Sequence, residues 1–307
     1  MLLDMKFIDP CNDWAFKRIF GSRESEPVLI GFLNDLLHGG RPVVEKVTII
    51  DPYLPSQALK LKNTAVDVRA TLNNGHETLV EMQMFPMQSF CERVLYNGAK
   101  CLSSQLGRGT DYSRVRPVTV ITVADCMLLP AEHGWLSHFS LQEKKSGRAW
   151  PASGLELIFI ELPKLRLDKL PASEPLHDWL AFLKNATDWR SIPRSLHNPA
   201  VRDALRLARQ DSLSPAESQT MTRRQMYRED QKNIIRHALR TGTEQGMQQG
   251  MQQGQRKAAH EIAEASLRRG LSPELVSEIT GLKMKDIQKI QSPPARKRAP
   301  ARRKALA

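Results

Sequence analysis

Two short β-branched runs, residues 65–72 and 78–84, stand on either side of Asn73-Asn74-Gly75. That turn sequence tolerates positive φ, so it favours a tight hairpin and sets which residues of the two strands face each other. With the turn centred on Asn74, the residue seven before it faces the residue seven after it, which pairs Asp67 with Glu81. Strand alternation puts Val66, Val68, Ala70 and Leu72 on one face and Asp67, Arg69 and Thr71 on the other. Glu81 and Gln83 share the second strand's face with Leu79. Carboxylates directly opposite each other on a sheet have Cβ atoms about 5 Å apart, an unfavourable arrangement unless something offsets the repulsion. A hard divalent cation such as Mg²⁺ does so and keeps coordination positions for water and a phosphate oxygen. Such a centre supports phosphodiester hydrolysis. Gln83 is placed to orient a water through its amide but has no titratable proton with which to act as a base. The residues alone leave a second reading open, a solvated surface hairpin whose acids are unrelated.

Periodicity places the hairpin in a larger fold. Residues 12–37 carry apolar positions at helical spacing, interrupted at Gly21 and Pro27 and stopped by His38-Gly39-Gly40, which predicts two helices. Residues 43–50 form a further strand-like run, and residues 88–106 return to helical spacing. PVTVITV, residues 117–123, reads as a strand covered on both faces, and residues 155–162 as one more strand. This order predicts an α/β (α+β) fold, a mixed central sheet flanked by helices, over residues 1–170. A helical region is expected over residues 171–291. Within it, glycine recurs every fourth residue at Gly242, Gly246, Gly250 and Gly254, as in a connector or a close-packed helix face. Ser272 before Pro273, with a turn at Gly281, predicts a terminal pair of short helices, either a DNA-reading or a dimerising unit.

The formal net charge of +12 favours a polyanionic partner. Residues 292–307 hold six basic residues and no acid, half of that charge, and are expected to be a disordered, DNA-adhesive tail. Nothing in the first thirty residues resembles a secretory signal and no run is apolar enough to span a bilayer, so a cytoplasmic protein without membrane contact is expected. Cys11, Cys91, Cys101 and Cys126 stand far apart with no CxxC pair, which predicts reduced thiols and no structural zinc. There is no GxxxxGK[ST] phosphate loop and no Ser/His/Asp arrangement by spacing. Tyr96, Tyr112, Ser103 and Ser104 read as packing residues.

Several segments, in this order, resemble the Rpn family of recombination-promoting nucleases, often labelled transposases, within the PD-(D/E)XK nuclease superfamily. FIDPCNDWAFKRIFGS (residues 7–22) resembles the opening motif and VLIGFLNDLL (28–37) the second helix. VDVRATLNNGHETLVEMQM (66–84) resembles the central hairpin, ending Glu-Met-Gln where many relatives in the superfamily have Glu-x-Lys. RVLYNGAKCLSSQLGRGTDY (93–112) and RPVTVITVAD (116–125) resemble the helix and strand that follow. The resemblance covers roughly residues 5–165. It implies a restriction-endonuclease-like core in which Asp67 and Glu81 are metal ligands, Gln83 takes the place of the superfamily lysine, and Asp13 is an accessory acid.

The resulting expectation is a Mg²⁺-dependent DNA endonuclease of low sequence specificity, with Mn²⁺ as a substitute metal, acting in recombination, mobile-element or defence processes. Lys17, one helical turn from Asp13, and Arg93 are candidate contacts to the scissile phosphate, each with a solvated surface charge as the alternative. A homodimer through the C-terminal helices would let two sites cut both strands. The competing class is a nucleic-acid-binding or oligomerisation protein built on an inactive nuclease scaffold.

Overall fold

The computed structural model describes residues 6–54, 64–107, 109–152 and 154–291 of the 307-residue chain. The basic tail at 292–307 lies outside the described residues. The chain divides into two compact units, Met1–Tyr227 and Arg228–Ala307.

The first unit opens with helices α1 (Asp13–Phe20) and α2 (Glu26–His38). Asn12 caps α1 by accepting from the Trp14 N–H, and Gly39 ends α2 in the left-handed conformation at φ 61°. Strands β1 (Val47–Ile50), β2 (Tyr53–Leu54), β3 (Thr64–Ala65), β4 (Val68–Leu72) and β5 (Glu77–Gln83) follow. Next come α3 (Phe90–Ser104), β6 (Val118–Ala124), β7 (Leu136–Phe139) and β8 (Leu155–Glu161), then α4 (His177–Asn185) and α5 (Pro199–Leu207). The main sheet has the order β1-β4-β5-β6-β8-β7, while β2 and β3 pair separately. Its centre, β5-β6-β8, is parallel and its flanks are antiparallel. The fold is therefore the mixed α/β sheet with flanking helices that the periodicity predicts.

The parallel centre explains the near-continuous apolar sequence of β6, all seven residues of which are buried. One sheet face, carrying Val68, Ala70, Val80, Met82, Ile121 and Val123, packs under α1, α2, α4 and α5. Phe16, Phe20, Phe32 and Trp179 form the aromatic centre of that layer, with ring centroids 4.7 to 5.8 Å apart. The other face, carrying Leu79, Val118, Val120 and Phe159, packs under α3.

The structure departs from the sequence reading in several places, among them the short strand β2, which that reading does not contain. The strand expected at residues 43–50 begins only at Val47, because the Asn34 side chain takes a strand partner's role: its Oδ1 accepts from Val43 and Val44, and its Nδ2 donates to the Val44 carbonyl. The strand expected at residues 65–72 is broken at Asp67, so Val66 packs in the α3-side cluster and Val68 in the opposite one. Edge strand β7 has no counterpart in the sequence reading, since its residues are mostly exposed and show no two-residue apolar alternation. Tyr96 and Tyr112 are exposed rather than packed, and the Ser103 and Ser104 hydroxyls donate to carbonyls of their own helix.

Helix α6 (Pro215–Arg268) runs unbroken through the glycine repeat, and a Cβ built at Gly242, Gly246, Gly250 or Gly254 meets nothing within 4 Å. In the second unit, α7 (Pro273–Thr280) and α8 (Met284–Gln291) pack with the end of α6 around Ala263, Val276, Leu282 and Ile287. Ser272 accepts from the Leu275 N–H and Gly281 turns at φ 66°, as the sequence implies. Among the described residues no helix is long and apolar enough to cross a membrane.

Candidate active site

Helix α1 is amphipathic: Ala15, Phe16, Ile19 and Phe20 are buried against the sheet. Asp13 and Lys17, one turn apart, lie off that face, and Lys17 Nζ sits 3.1 Å from Asp13 Oδ1. The same ammonium is 3.1 Å from Asp67 Oδ1. Arg224 approaches the other Asp13 oxygen at 3.8 Å.

Asp67 occupies the bend between β3 and β4, and its Oδ2 accepts from the Met82 N–H at 2.8 Å. The β4–β5 register pairs Val68 with Val80 and Arg69 with Leu79. Extended by one residue, it sets Asp67 opposite Glu81, the pairing derived from the turn. The bend changes the direction of the side chain, however, so Asp67 reaches α1 while Glu81 reaches α3.

Glu81 is 3% exposed. Its Oε1 accepts from Asn97 Nδ2 at 2.8 Å, and its Oε2 from Arg93 Nη2 at 3.2 Å. The same Arg93 nitrogen donates to Gln83 Oε1 at 3.3 Å, and Gln83 Nε2 donates to the Phe85 carbonyl at 2.6 Å. The Arg93 guanidinium stacks on the Phe90 ring, 4.7 Å from its centroid. Asp13, Lys17 and Asp67 thus form one group, and Glu81, Gln83, Arg93 and Asn97 another, with the β5 segment 81–83 touching both.

Sequence reasoning missed Asn97. A signal existed: it is an amide within an otherwise apolar or small buried stripe made of Phe90, Val94, Gly98 and Cys101, one turn from Arg93. Glu161 was missed as well. It lies in register with Ala124, which itself pairs with Gln83. Its carboxylate is taken up by the Leu128 and Leu129 N–H groups and by Lys164 at 2.7 Å, so it anchors a loop.

Burial pushes the Asp67 carboxyl up to about 6; the Met82 N–H and Lys17 oppose that rise, and the neighbouring Asp13 charge adds to it. Burial would raise Asp13 too, but hydrogen bonds with Lys17 and Asp67 and the charges of Lys17 and Arg224 hold it below the ordinary carboxylate value. Lys17 is likewise held above its ordinary value, the two aspartates outweighing its burial. Two interacting carboxyls, one of them resisting ionisation because it is buried, form a centre that an added cation would relieve. The donors are all oxygens, which suits Mg²⁺ or Mn²⁺. Among the described residues no three His, Cys, Asp or Glu side chains already converge as a metal cluster, and side-chain cations serve as the counterions.

A mixed sheet with a parallel centre, helices on both faces and acids at the end of its central hairpin is the architecture of the PD-(D/E)XK nucleases. The family model described as PD-(D/E)XK nuclease family transposase matches residues 10–238, and the chain belongs to that family. No curated protein and no solved structure matches it.

Proposed function

We propose that this protein is a Mg²⁺-dependent DNA endonuclease of low sequence specificity, Mn²⁺ substituting, that acts in the cytoplasm in recombination, mobile-element or defence processes. The observation that carries this reading is the pair Asp67 and Glu81: a partly buried and a fully buried carboxylate at hairpin positions that the β4–β5 register sets against each other, each beside a side-chain cation on a neighbouring helix. Asp67 and Glu81 would hold the ion, with Asp13 as accessory acid. When bound, the ion polarises the phosphoryl oxygen and acidifies a water. Gln83, its amide fixed by Phe85 and Arg93, orients that water. The Lys17 and Arg93 side chains are 46% and 40% exposed, open enough that each could turn from its carboxylate to a scissile phosphate if Asp67 and Glu81 held an ion. Low specificity agrees with the large positive charge, which attracts DNA through phosphates of any sequence. A homodimer through the C-terminal helices belongs to this reading, because two sites then meet two strands.

The second reading, an inactive scaffold that binds nucleic acid or oligomerises, draws on one observation: both carboxylate groups are already paired with side-chain cations. Plasmid nicking by wild type and Asp67→Ala, each with Mg²⁺ and with EDTA, separates the two. The endonuclease predicts metal-dependent nicking that falls at least about 100-fold in the variant, the scale of losing a charge-stabilising group, with DNA binding retained. Wild type that binds DNA but never nicks it would establish the inactive scaffold.

A further inference from the structure

The buried face of α3 consists of Phe90, Val94, Asn97, Gly98 and Cys101. Asn97 is fully buried there, its Nδ2 donates to Glu81 Oε1 at 2.8 Å, and its Oδ1 meets no hydrogen-bond donor. A buried amide with one end unpaired is a poor choice for stability alone, since an apolar side chain of similar size fills the space without that penalty. The neighbouring glycine shows how so short a side chain reaches the sheet. A Cβ at Gly98 would sit 2.6 Å from Leu155 Cδ1 and 2.8 Å from Val120 Cγ2, so α3 lies close against β6 and β8 beside Asn97.

The two donors to Glu81 differ in kind. Arg93 is long, with a side chain 40% exposed, and divides one nitrogen between Glu81 and Gln83. Asn97 is short and enclosed, and its amide is committed to Glu81. We infer that Asn97 is a positioning residue: it pins Oε1 of Glu81 so that Oε2, the oxygen turned to Arg93, is the one presented to a divalent ion. When Arg93 moves to a phosphate, Asn97 keeps the carboxylate in place. This rests on the proposed assignment of Glu81 as a metal ligand.

The test is Mn²⁺ affinity by electron paramagnetic resonance, with nicking kinetics and thermal melting alongside, on full-length wild type, Asn97→Leu, Asn97→Ala and Glu81→Ala. Loss of a hydrogen-bond partner behind a metal ligand weakens metal affinity about 10–100-fold. Asn97→Leu is expected to weaken Mn²⁺ by that amount and to lower nicking kcat with KM for DNA within about twofold, while melting near wild type. Asn97→Ala should do the same if leucine does not fit. Wild-type Mn²⁺ affinity in a folded Asn97 variant, beside a Glu81→Ala that has lost it, overturns the positioning role alone. Unchanged affinity in Glu81→Ala overturns the metal assignment and this inference with it.

Discussion

The Asp67 side chain owes its direction to a single broken residue step. Had β4 continued through it, its carboxylate would share Glu81's surroundings under α3; the bend turns it toward Lys17 and the Met82 N–H instead. Its titration has a consequence for stability that can be signed. The folded value of about 6 lies above the ordinary 3.8, so the folded protein binds more protons between those values than the unfolded chain. The associated stability is complete below the unfolded value and is lost as pH rises through the folded one. Asp67→Asn, which removes the charge but keeps the shape, is therefore expected to melt higher than wild type at about pH 7.5 in EDTA, with the gain shrinking toward about pH 4. Equal melting temperatures at the higher pH would show that burial does not strain this carboxylate.

The helices that cover one face of the sheet are held together by interactions well away from the candidate site. Helix α2 lies against α5 where Gly31 meets Ala200, and a Cβ at Gly31 would stand 2.3 Å from the Ala200 Cβ. Neither helix can move aside freely. Asp35 Oδ2 accepts from Trp179 Nε1 at 2.7 Å and from Asn198 Nδ2 at 2.6 Å, and Asn198 caps α5, so α2, α4 and α5 are tied at one carboxylate. Gly31→Val should thus cost about 1–3 kcal/mol, the range for overpacking a closed interface, read as a lower urea midpoint. An unchanged midpoint would mean that the two helices separate without penalty. The substitution touches none of the proposed site residues, so nicking per folded molecule should be retained.

At the scale of the whole molecule, half of the formal net charge lies in the last sixteen residues of the sequence. Residues 292–307 carry six of the basic residues behind the net charge of +12. Deleting them is expected to weaken DNA binding and to flatten the plot of log K against log salt by about 0.9 for each phosphate that the tail had neutralised. A slope unchanged by the deletion would assign DNA binding to the core instead. Much of the architecture is legible in the sequence because it depends on local periodicity. The hairpin register follows from Asn73-Asn74-Gly75, the burial of β6 from its apolar run, and the end of α2 from Gly39. The short β7 and the late start of the strand within 43–50 are not legible, the one because an exposed edge has no pattern, the other because an amide nine or ten residues away takes the backbone partners. The sequence by itself determined the register of the hairpin, Val68 against Val80 and Arg69 against Leu79, on which the expected pairing of Asp67 with Glu81 rests. Only the tertiary structure decided that Lys17 meets Asp67, and that Arg93 and Asn97 meet Glu81. Register is a property of two neighbouring strands and the turn between them, whereas the direction of a side chain beyond a bend depends on helices packed from elsewhere in the chain.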